Sequence, residues 1–149
     1  MPLHVLEPGL FSLVVDAGRP QARAFGVPGG GAADRAALAL GNALVGNAIF
    51  APALELTLTG PLLRAEHAVG CVVFGAAFVV TVNGRARPTG TTFTLEAGDI
   101  LKIGGTPGGA RGYLCVAGGL DSPIVMGSRS ALTPVKAGEV LACRPSRIG

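Results

Sequence analysis

Residues 69–84 read Val-Gly-Cys-Val-Val-Phe-Gly-Ala-Ala-Phe-Val-Val-Thr-Val-Asn-Gly, and this stretch decides the fold class. It holds two short runs rich in β-branched and aromatic residues, which favour buried strands. The uninterrupted apolar part falls short of the ~20 residues that a membrane-spanning helix needs. Asn83-Gly84 predicts a type I′ hairpin turn, in which both central residues have positive φ. The return strand should be short, because Pro88 cannot donate to a strand ladder.

The same pattern continues along the rest of the chain. Its 24 glycines and 11 prolines separate short apolar runs, as in folds made of many short strands and tight turns. The predicted strands are Leu10–Val15, Leu54–Leu58, Val69–Phe74, Phe78–Val82, Phe93–Leu95, Ile100–Ile103, Tyr113–Ala117 and Val140–Cys143. The sequence therefore predicts a mostly β fold. Residues 104–112 are rich in glycine but lack the Gly-Lys-Ser/Thr ending of a phosphate-binding loop, so we predict a long hairpin loop there.

One segment has helical spacing instead. Its apolar residues recur on one face, at Ala33, Ala37, Leu40 and Leu44. Arg35 and Asn42 fall on the opposite side. Asp34 lies in the first turn, where the helix dipole favours a negative charge, and Gly46-Asn47 follows as a stop. We predict one main helix over residues 33–44.

Two further motifs combine glycine turns with polar chemistry. Residues 26–31 end at the start of the predicted helix, where free backbone amides can hold an anion such as a carboxylate or phosphate. A plain loop-to-helix connection is the alternative. Residues 96–101 and 136–141 each place an acidic residue, Asp99 or Glu139, after a glycine turn that leads into a strand. We expect each acid to bond local backbone amides.

Composition limits the classes of function. The chain has 149 residues, which fits one domain, and a net charge of +3 with scattered arginines and 5% aromatic residues, so we expect no nucleic-acid partner. Charged residues make up 14% of the chain, against ~25% in a typical soluble domain. Either a partner covers much of the surface, or an alanine-rich composition accounts for the low charge without any interface.

The three cysteines predict neither a disulfide framework nor a metal centre. Cys71, Cys115 and Cys143 are widely spaced among apolar neighbours, and metal-ligand spacing is absent along the sequence. We predict small buried side chains in a reducing compartment. The first residues show no basic region followed by an apolar one, so no signal peptide and no membrane anchor are expected, and we predict a cytoplasmic protein.

An ordered set of short motifs runs through nearly the whole chain. The motifs are Glu7-Pro8-Gly9, Asp16-Ala17-Gly18-Arg19-Pro20, Gly26-Val27-Pro28, Gly30-Gly31-Ala32-Ala33-Asp34, Leu44-Val45-Gly46-Asn47, Ala53-Leu54-Glu55, Ala97-Gly98-Asp99, Arg111-Gly112-Tyr113, Val116-Ala117-Gly118-Gly119 and Gly127-Ser128-Arg129-Ser130. In this order and spacing the sequence resembles the biotin-dependent carboxyltransferase-like subunit family, which comprises the C-type subunit of 5-oxoprolinase and allophanate hydrolase subunit 2. The resemblance covers the first of the two related halves that members of that family contain.

The resemblance implies a fold and a function. Residues 1–149 are expected to form a single cyclophilin-like domain, a mostly β barrel with one main α-helix. The chain is expected to be a subunit or half-subunit of an ATP-dependent 5-oxoprolinase or allophanate hydrolase-type amide hydrolase, inactive alone if the site lies between the two halves. No cofactor is expected to bind directly, and carboxybiotin or ATP would act through partner subunits. The alternative is a non-catalytic binding or regulatory module that docks a related subunit.

The candidate site residues divide by charge. Asp34 and Glu55 are predicted to act in general acid/base or substrate-amide contacts. Arg19 and Arg129 are predicted to orient anionic groups of the substrate, together with Ser128, Gly30 and Gly31. For Arg19 and Asp34 a structural ion pair that ties loop to helix is the alternative. We further expect a homodimer or a hetero-oligomer with related subunits, because the face that a second half would cover should be apolar.

Overall fold

The computed structural model describes residues 2–108 and 111–148, which form two antiparallel sheets and one main helix. In chain order the elements are β1 (Pro2–Glu7), β2 (Phe11–Val15), a 3₁₀ helix (Pro20–Phe25), α1 (Arg35–Leu44), β3 (Ala53–Thr57), β4 (Leu62–Ala65), β5 (Val69–Gly75), β6 (Val80–Val82), β7 (Arg85–Arg87), β8 (Phe93–Leu95), β9 (Ile100–Ile103), β10 (Arg111–Val116) and β11 (Val140–Ala142). The first sheet has the order β11-β1-β4-β9-β6-β7, and the second has the order β2-β3-β10-β5-β8. The prediction of a mostly β fold is confirmed.

The two sheets pack face to face and do not close into a barrel. One hydrophobic core lies between them, with Leu63 and Leu101 from the first sheet and Leu54 and Leu114 from the second among its fully buried members. Among the described strands, β11 and β7 end the first sheet, and β2 and β8 end the second. The expectation of a closed barrel is therefore wrong. Each sheet keeps two edges because β7 and β8, three residues long, each pair with one strand only.

Most predicted strands form within two residues of their expected bounds. Asn83 and Gly84 have φ of 52° and 81°, which confirms the hairpin turn between β6 and the short β7. Strands β1 and β4 and the 3₁₀ helix were not predicted. The glycine-rich segment was predicted as a hairpin loop, and this is wrong, because β9 and β10 belong to different sheets. Residues 104–108 therefore leave one sheet toward the other.

The two acidic glycine turns behave as predicted. Asp99 accepts a hydrogen bond from the amide of Glu96 at 2.8 Å, and Glu139 accepts one from the amide of Lys136 at 2.5 Å. Each carboxylate closes its own turn before β9 or β11. Neither is free to act in a catalytic site.

Helix α1 forms where it was predicted, but it buries a different face. Asp34 is its N-cap and accepts from the amide of Ala37 at 3.0 Å, and Gly46 stops it with a φ of 78°. Leu40 and Leu44 were expected to face the core and are instead 56% and 43% exposed. No helix of residues 2–108 and 111–148 is long and apolar enough to cross a membrane.

The buried face of α1 explains the difference. Gly41 lies so close to the second sheet that a Cβ there would stand 2.8 Å from the Sγ of Cys115. Asn42, predicted on the outer side, is fully buried and donates to the carbonyl oxygens of Ile49 and Ala51 at 3.2 and 2.9 Å. A buried carboxamide with its hydrogen bonds satisfied costs little, and it fixes the turn after the helix. Periodicity of apolar residues could not show this.

Candidate functional site

Two motifs that lie over a hundred residues apart in sequence meet at the carboxylate of Asp16. Its Oδ1 accepts hydrogen bonds from the amide of Gly18 at 2.8 Å and from the hydroxyls of Ser128 and Ser130 at 2.5 and 2.9 Å. Its Oδ2 accepts from the amide of Arg129 at 2.8 Å. Four donors therefore hold one carboxylate and fix residues 128–130 against the end of β2.

These contacts shift the titration of Asp16. Burial by itself raises the pKa of this carboxyl. The hydrogen bonds from Ser128, Gly18, Arg129 and Ser130 outweigh that effect and hold the pKa below its ordinary value of 3.8. Asp16 is thus ionised at neutral pH and serves as the acceptor that organises the loop.

Arg19 holds the same loop from the other side. Its side chain is fully buried. Its Nε donates to the carbonyl oxygen of Val125 at 2.7 Å, one terminal nitrogen donates to that of Pro28 at 3.1 Å, and the other donates to those of Ser128, at 3.3 Å, and Ser130. The guanidinium therefore ties four carbonyl oxygens from two loops into one unit.

The predicted alternative of an ion pair between Arg19 and Asp34 is wrong. The guanidinium contacts no carboxylate among the described residues within salt-bridge distance, and Asp34 caps α1 instead. Arg19 does tie loops together, as that alternative supposed, but it does so through carbonyl oxygens. Its hydrogen bonds to the backbone and its burial place it behind the surface that a substrate would touch.

Gly30 and Gly31 pack directly on this network. A Cβ on Gly30 would lie 2.6 Å from the Cβ of Ser130, and Gly31 donates its amide to the Oγ of Ser130 at 3.1 Å. Their φ values of 62° and 89° also favour glycine. The two glycines therefore allow the close approach of residues 29–34 to the Ser130 loop.

A second cluster lies at the start of α1 and contains both predicted acid/base residues. Glu55, on β3, is 6% exposed, and its Oε2 accepts from the amide of Ala33 and from the hydroxyl of Tyr113, both at 2.8 Å. The amide of Asp34 donates to the same hydroxyl at 2.9 Å. Burial raises the pKa of Tyr113, and the neighbouring Glu55 carboxylate raises it further, so the hydroxyl stays protonated and donates.

This cluster also answers the question of an anion site at the helix start. The amides of Ala33 and Ala37 bond the carboxylates of Glu55 and Asp34, and the amide of Gly31 bonds Ser130. The protein's own acceptors thus occupy the amides that an external anion would need. The plain loop-to-helix connection is the better description of residues 26–31.

Open clefts lie on both sides of the loop that carries Arg129. One, of about 390 Å³, is lined mainly by apolar residues of the segment 120–135 and of β11. The other, of about 420 Å³, is lined by Arg129 and Arg144. Arg129 is 37% exposed and donates from one terminal nitrogen to Asp121 at 2.9 Å and to the carbonyl oxygen of Ser122 at 2.6 Å. It is the predicted substrate-binding cation that solvent can reach.

The cysteines lie in the core, as predicted. Burial raises the pKa of Cys143 to about 11 and that of Cys115 to about 12, and it raises the pKa of Cys71 as well. All three are free thiols that stay protonated at neutral pH. In the part of the chain that the structure describes, no group of three His, Cys, Asp or Glu residues could hold a metal ion.

The sequence is similar to known proteins over most of its length. Residues 25–145 match the family described as carboxyltransferase domain, subdomain A and B. The chain is 38% identical over 136 residues to the C-type subunit of 5-oxoprolinase from Escherichia coli (strain K12), covering 91% of this chain and 43% of that protein. It is 35% identical over 128 residues to the urea amidolyase of Lachancea kluyveri, covering 85% of this chain and 7% of that enzyme.

Solved structures agree with this result. The crystal structure of TTHA0988 superposes with a TM-score of 0.90 at 39% identity, covering 99% of this chain and 32% of that one. The Kluyveromyces lactis urea amidolyase superposes at 0.89 with 34% identity, covering 94% of this chain and 9% of the enzyme. The chain belongs to the carboxyltransferase domain, subdomain A and B, family, and the predicted resemblance is confirmed. It spans less than half the length of the Escherichia coli relative.

The structure brings the predicted site residues into two clusters joined by residues 30–34. Arg129, Ser128, Gly30 and Gly31 surround Asp16, whereas Asp34 and Glu55 surround Tyr113. Sequence reasoning missed Asp16 and Tyr113 as site residues. The spacing Asp16-x-Gly18 is typical of a turn closed by the aspartate side chain, and it could have pointed to Asp16. No local signal pairs Tyr113 with Glu55, because strand register places them opposite each other.

Replacing Arg19 with lysine should lower the free energy of unfolding by about 2–4 kcal/mol, because an ammonium cannot reach four carbonyl oxygens in the guanidinium geometry. Urea denaturation measures the loss. The exposed Arg23→Lys variant is the matched control and should stay within about 0.5 kcal/mol of the parent. Equal stability of the two variants would contradict a structural role for Arg19.

The stabilising effect of Asp16 should depend on pH. Because the folded pKa lies below 3.8, the contribution is present above that value and is lost as the pH falls through the folded pKa. The difference in unfolding free energy between the parent and Asp16→Asn should therefore be largest near neutral pH and shrink in acid. Denaturation curves at several pH values measure it, and a constant difference down to about pH 2 would refute the assignment.

Proposed function

We propose that this chain acts as a carboxyltransferase-type component of an ATP-dependent assembly that works on 5-oxoproline or a urea-like amide. The family match over residues 25–145 and the 5-oxoprolinase and urea amidolyase relatives support the reaction class. The structural observation that carries the proposal is the position of Arg129, whose guanidinium lines an open cleft while its backbone is fixed by Asp16. The predicted substrate cation is therefore both reachable and held in place.

Each predicted residue has a role in this proposal. Arg129 binds a carboxylate of the substrate through charge-assisted hydrogen bonds, and Arg144 on the same cleft adds positive charge. Ser128 donates to Asp16 and so positions the Arg129 backbone. Glu55 and Asp34 supply the carboxylates for proton transfer or for contacts to substrate amide groups. Arg19, Gly30 and Gly31 position these groups without touching the substrate.

Cofactors belong to the partner subunits in this proposal. Carboxybiotin or ATP would be presented by related 5-oxoprolinase or allophanate hydrolase-type subunits. The chain itself contributes fixed polar groups that orient the acceptor amide, and such fixed donors lower the barrier for reactions that develop charge on oxygen.

The test is turnover of 5-oxoproline with ATP, candidate partner subunits and this chain. Leaving the chain out should abolish ATP-dependent ring opening. Arg129→Gln should lower kcat/KM by about 10- to 100-fold, because it removes a charged hydrogen bond to the substrate. Arg85→Gln, a matched change on β7, should have no effect. Turnover that does not need the chain would refute the proposal.

A second candidate function is supported by the exposed face of α1. Leu40 and Leu44 lie one helical turn apart and are 56% and 43% exposed, and Ile49 in the following loop is 56% exposed. We propose that this face, defined by Leu40, Leu44 and Ile49, docks a second domain of the same family. In the purified chain a second copy would serve as that partner, since a two-fold interface is self-complementary.

The docking proposal predicts a concentration-dependent dimer that light scattering detects. Leu40→Glu with Leu44→Glu should shift the equilibrium to monomer, because the two charges would be buried without partners. Val79→Glu, at a residue 62% exposed before β6, is the control and should leave the dimer intact. A parent protein that stays monomeric at high concentration, or a dimer that both variants retain, would rule out this face.

A further inference from the structure

The outer face of the second sheet is uncovered beyond the start of α1. Strand register places Glu55 opposite Tyr113 and places Thr57 opposite Arg111, so Glu55 and Arg111 lie diagonally on the same face of adjacent strands. Phe11 lies opposite Thr57 on that face and is 44% exposed. These residues form a small surface with one carboxylate, one guanidinium and one aromatic ring.

The two oxygens of Glu55 are not equivalent. Oε2 is saturated, with the Ala33 amide and the Tyr113 hydroxyl both at 2.8 Å. Oε1 accepts no hydrogen bond from residues 2–108 or 111–148, although its side chain is only 7% exposed. A carboxylate oxygen that has lost most of its water without gaining a donor is costly to leave unpaired. Oε1 is therefore an acceptor ready for an external donor.

Arg111 supplies the complementary group. Its Nε lies 3.9 Å from Oε1 of Glu55, longer than a hydrogen bond, and makes one long contact to the hydroxyl of Thr57 at 3.3 Å. Its side chain is 43% exposed, and its terminal nitrogens donate to no acceptor among the described residues. The guanidinium and Oε1 thus stand side by side, a donor and an acceptor that do not satisfy each other.

We propose that Glu55 and Arg111 together recognise the N–H/C=O edge of a planar amide. The N–H of the ligand donates to Oε1, a guanidinium N–H of Arg111 donates to the ligand carbonyl, and Phe11 covers the apolar part of the ring. A carboxylate alone would be repelled by Glu55, and an alcohol would leave one of the two groups unpaired. This inference rests on the proposed function and assigns the site its amide-recognition residues.

Two ligand sources share this chemistry, a cyclic amide substrate such as a lactam and a cyclic ureido group of a carrier cofactor. The purified chain can be titrated with four probes, 5-oxoproline, 2-pyrrolidinone, 2-imidazolidinone and N-methyl-2-pyrrolidinone, while amide NMR shifts of Ala33, Arg111 and Tyr113 are followed. We expect 2-pyrrolidinone to bind and its N-methyl derivative to bind about tenfold weaker or less, because methylation removes the N–H donor. Tighter binding of 2-imidazolidinone than of 2-pyrrolidinone identifies a ureido ligand, and the reverse order identifies a lactam.

Variants test the two protein groups separately. Glu55→Gln keeps an oxygen for the Ala33 amide and the Tyr113 hydroxyl but places an NH₂ where Oε1 stood. Arg111→Gln removes the guanidinium at a half-exposed position, so it tests the proposal even if Glu55→Gln is unstable. Each should weaken 2-pyrrolidinone binding about tenfold or more, whereas Arg85→Gln should not change it.

The result is independent of the assembly assay, because binding is measured on the chain alone. Equal affinity for 2-pyrrolidinone and its N-methyl derivative, shift changes that avoid Arg111, or unchanged binding by Arg111→Gln would overturn the inference. Loss of turnover in the assembly with intact lactam recognition would overturn the proposed reaction and leave this site in place.

Discussion

The buried guanidinium of Arg19 is the interaction on which the candidate site depends. A buried cation without a carboxylate in contact is stable only where several acceptors surround it, and here four backbone carbonyl oxygens do so. Because those carbonyls come from Pro28 and from residues 125–130, the charge fixes two loops relative to each other. The Arg129 side chain can then stand in a cleft while its own backbone stays immobile.

Asp16 complements Arg19 from the opposite side of the same loop. Its carboxylate gathers two amides and two hydroxyls, so the loop is held by a cation that binds its carbonyl oxygens and an anion that binds its donors. Gly30 and Gly31 carry this order onward to the start of α1, where Ala33 and Asp34 contact Glu55 and Tyr113. One continuous set of hydrogen bonds therefore links the cationic cleft with the buried carboxylate.

Helix packing decides which surface remains for partners. Gly41 lets α1 approach the sheet, and Asn42 satisfies the loop behind it, so the buried face is small and polar in part. Leu40 and Leu44 are left outside as a consequence. In a family whose relatives include a urea amidolyase of which this chain matches only 7%, an apolar helix face of this kind is suited to contact another domain.

Sequence alone determined the mostly β fold, the bounds of most strands, the Asn83-Gly84 turn and the family, because each depends on local spacing or on an ordered set of motifs. It also gathered the candidate residues that the structure brings into two joined clusters. Only the tertiary structure decided that the sheets stay open, that Asn42 rather than Leu40 is buried, and that Arg19 binds carbonyl oxygens rather than Asp34. The pairing of Glu55 with Tyr113 and Arg111 came from strand register. Contacts between residues far apart in sequence depend on how two sheets and a helix pack, and no local pattern records that packing.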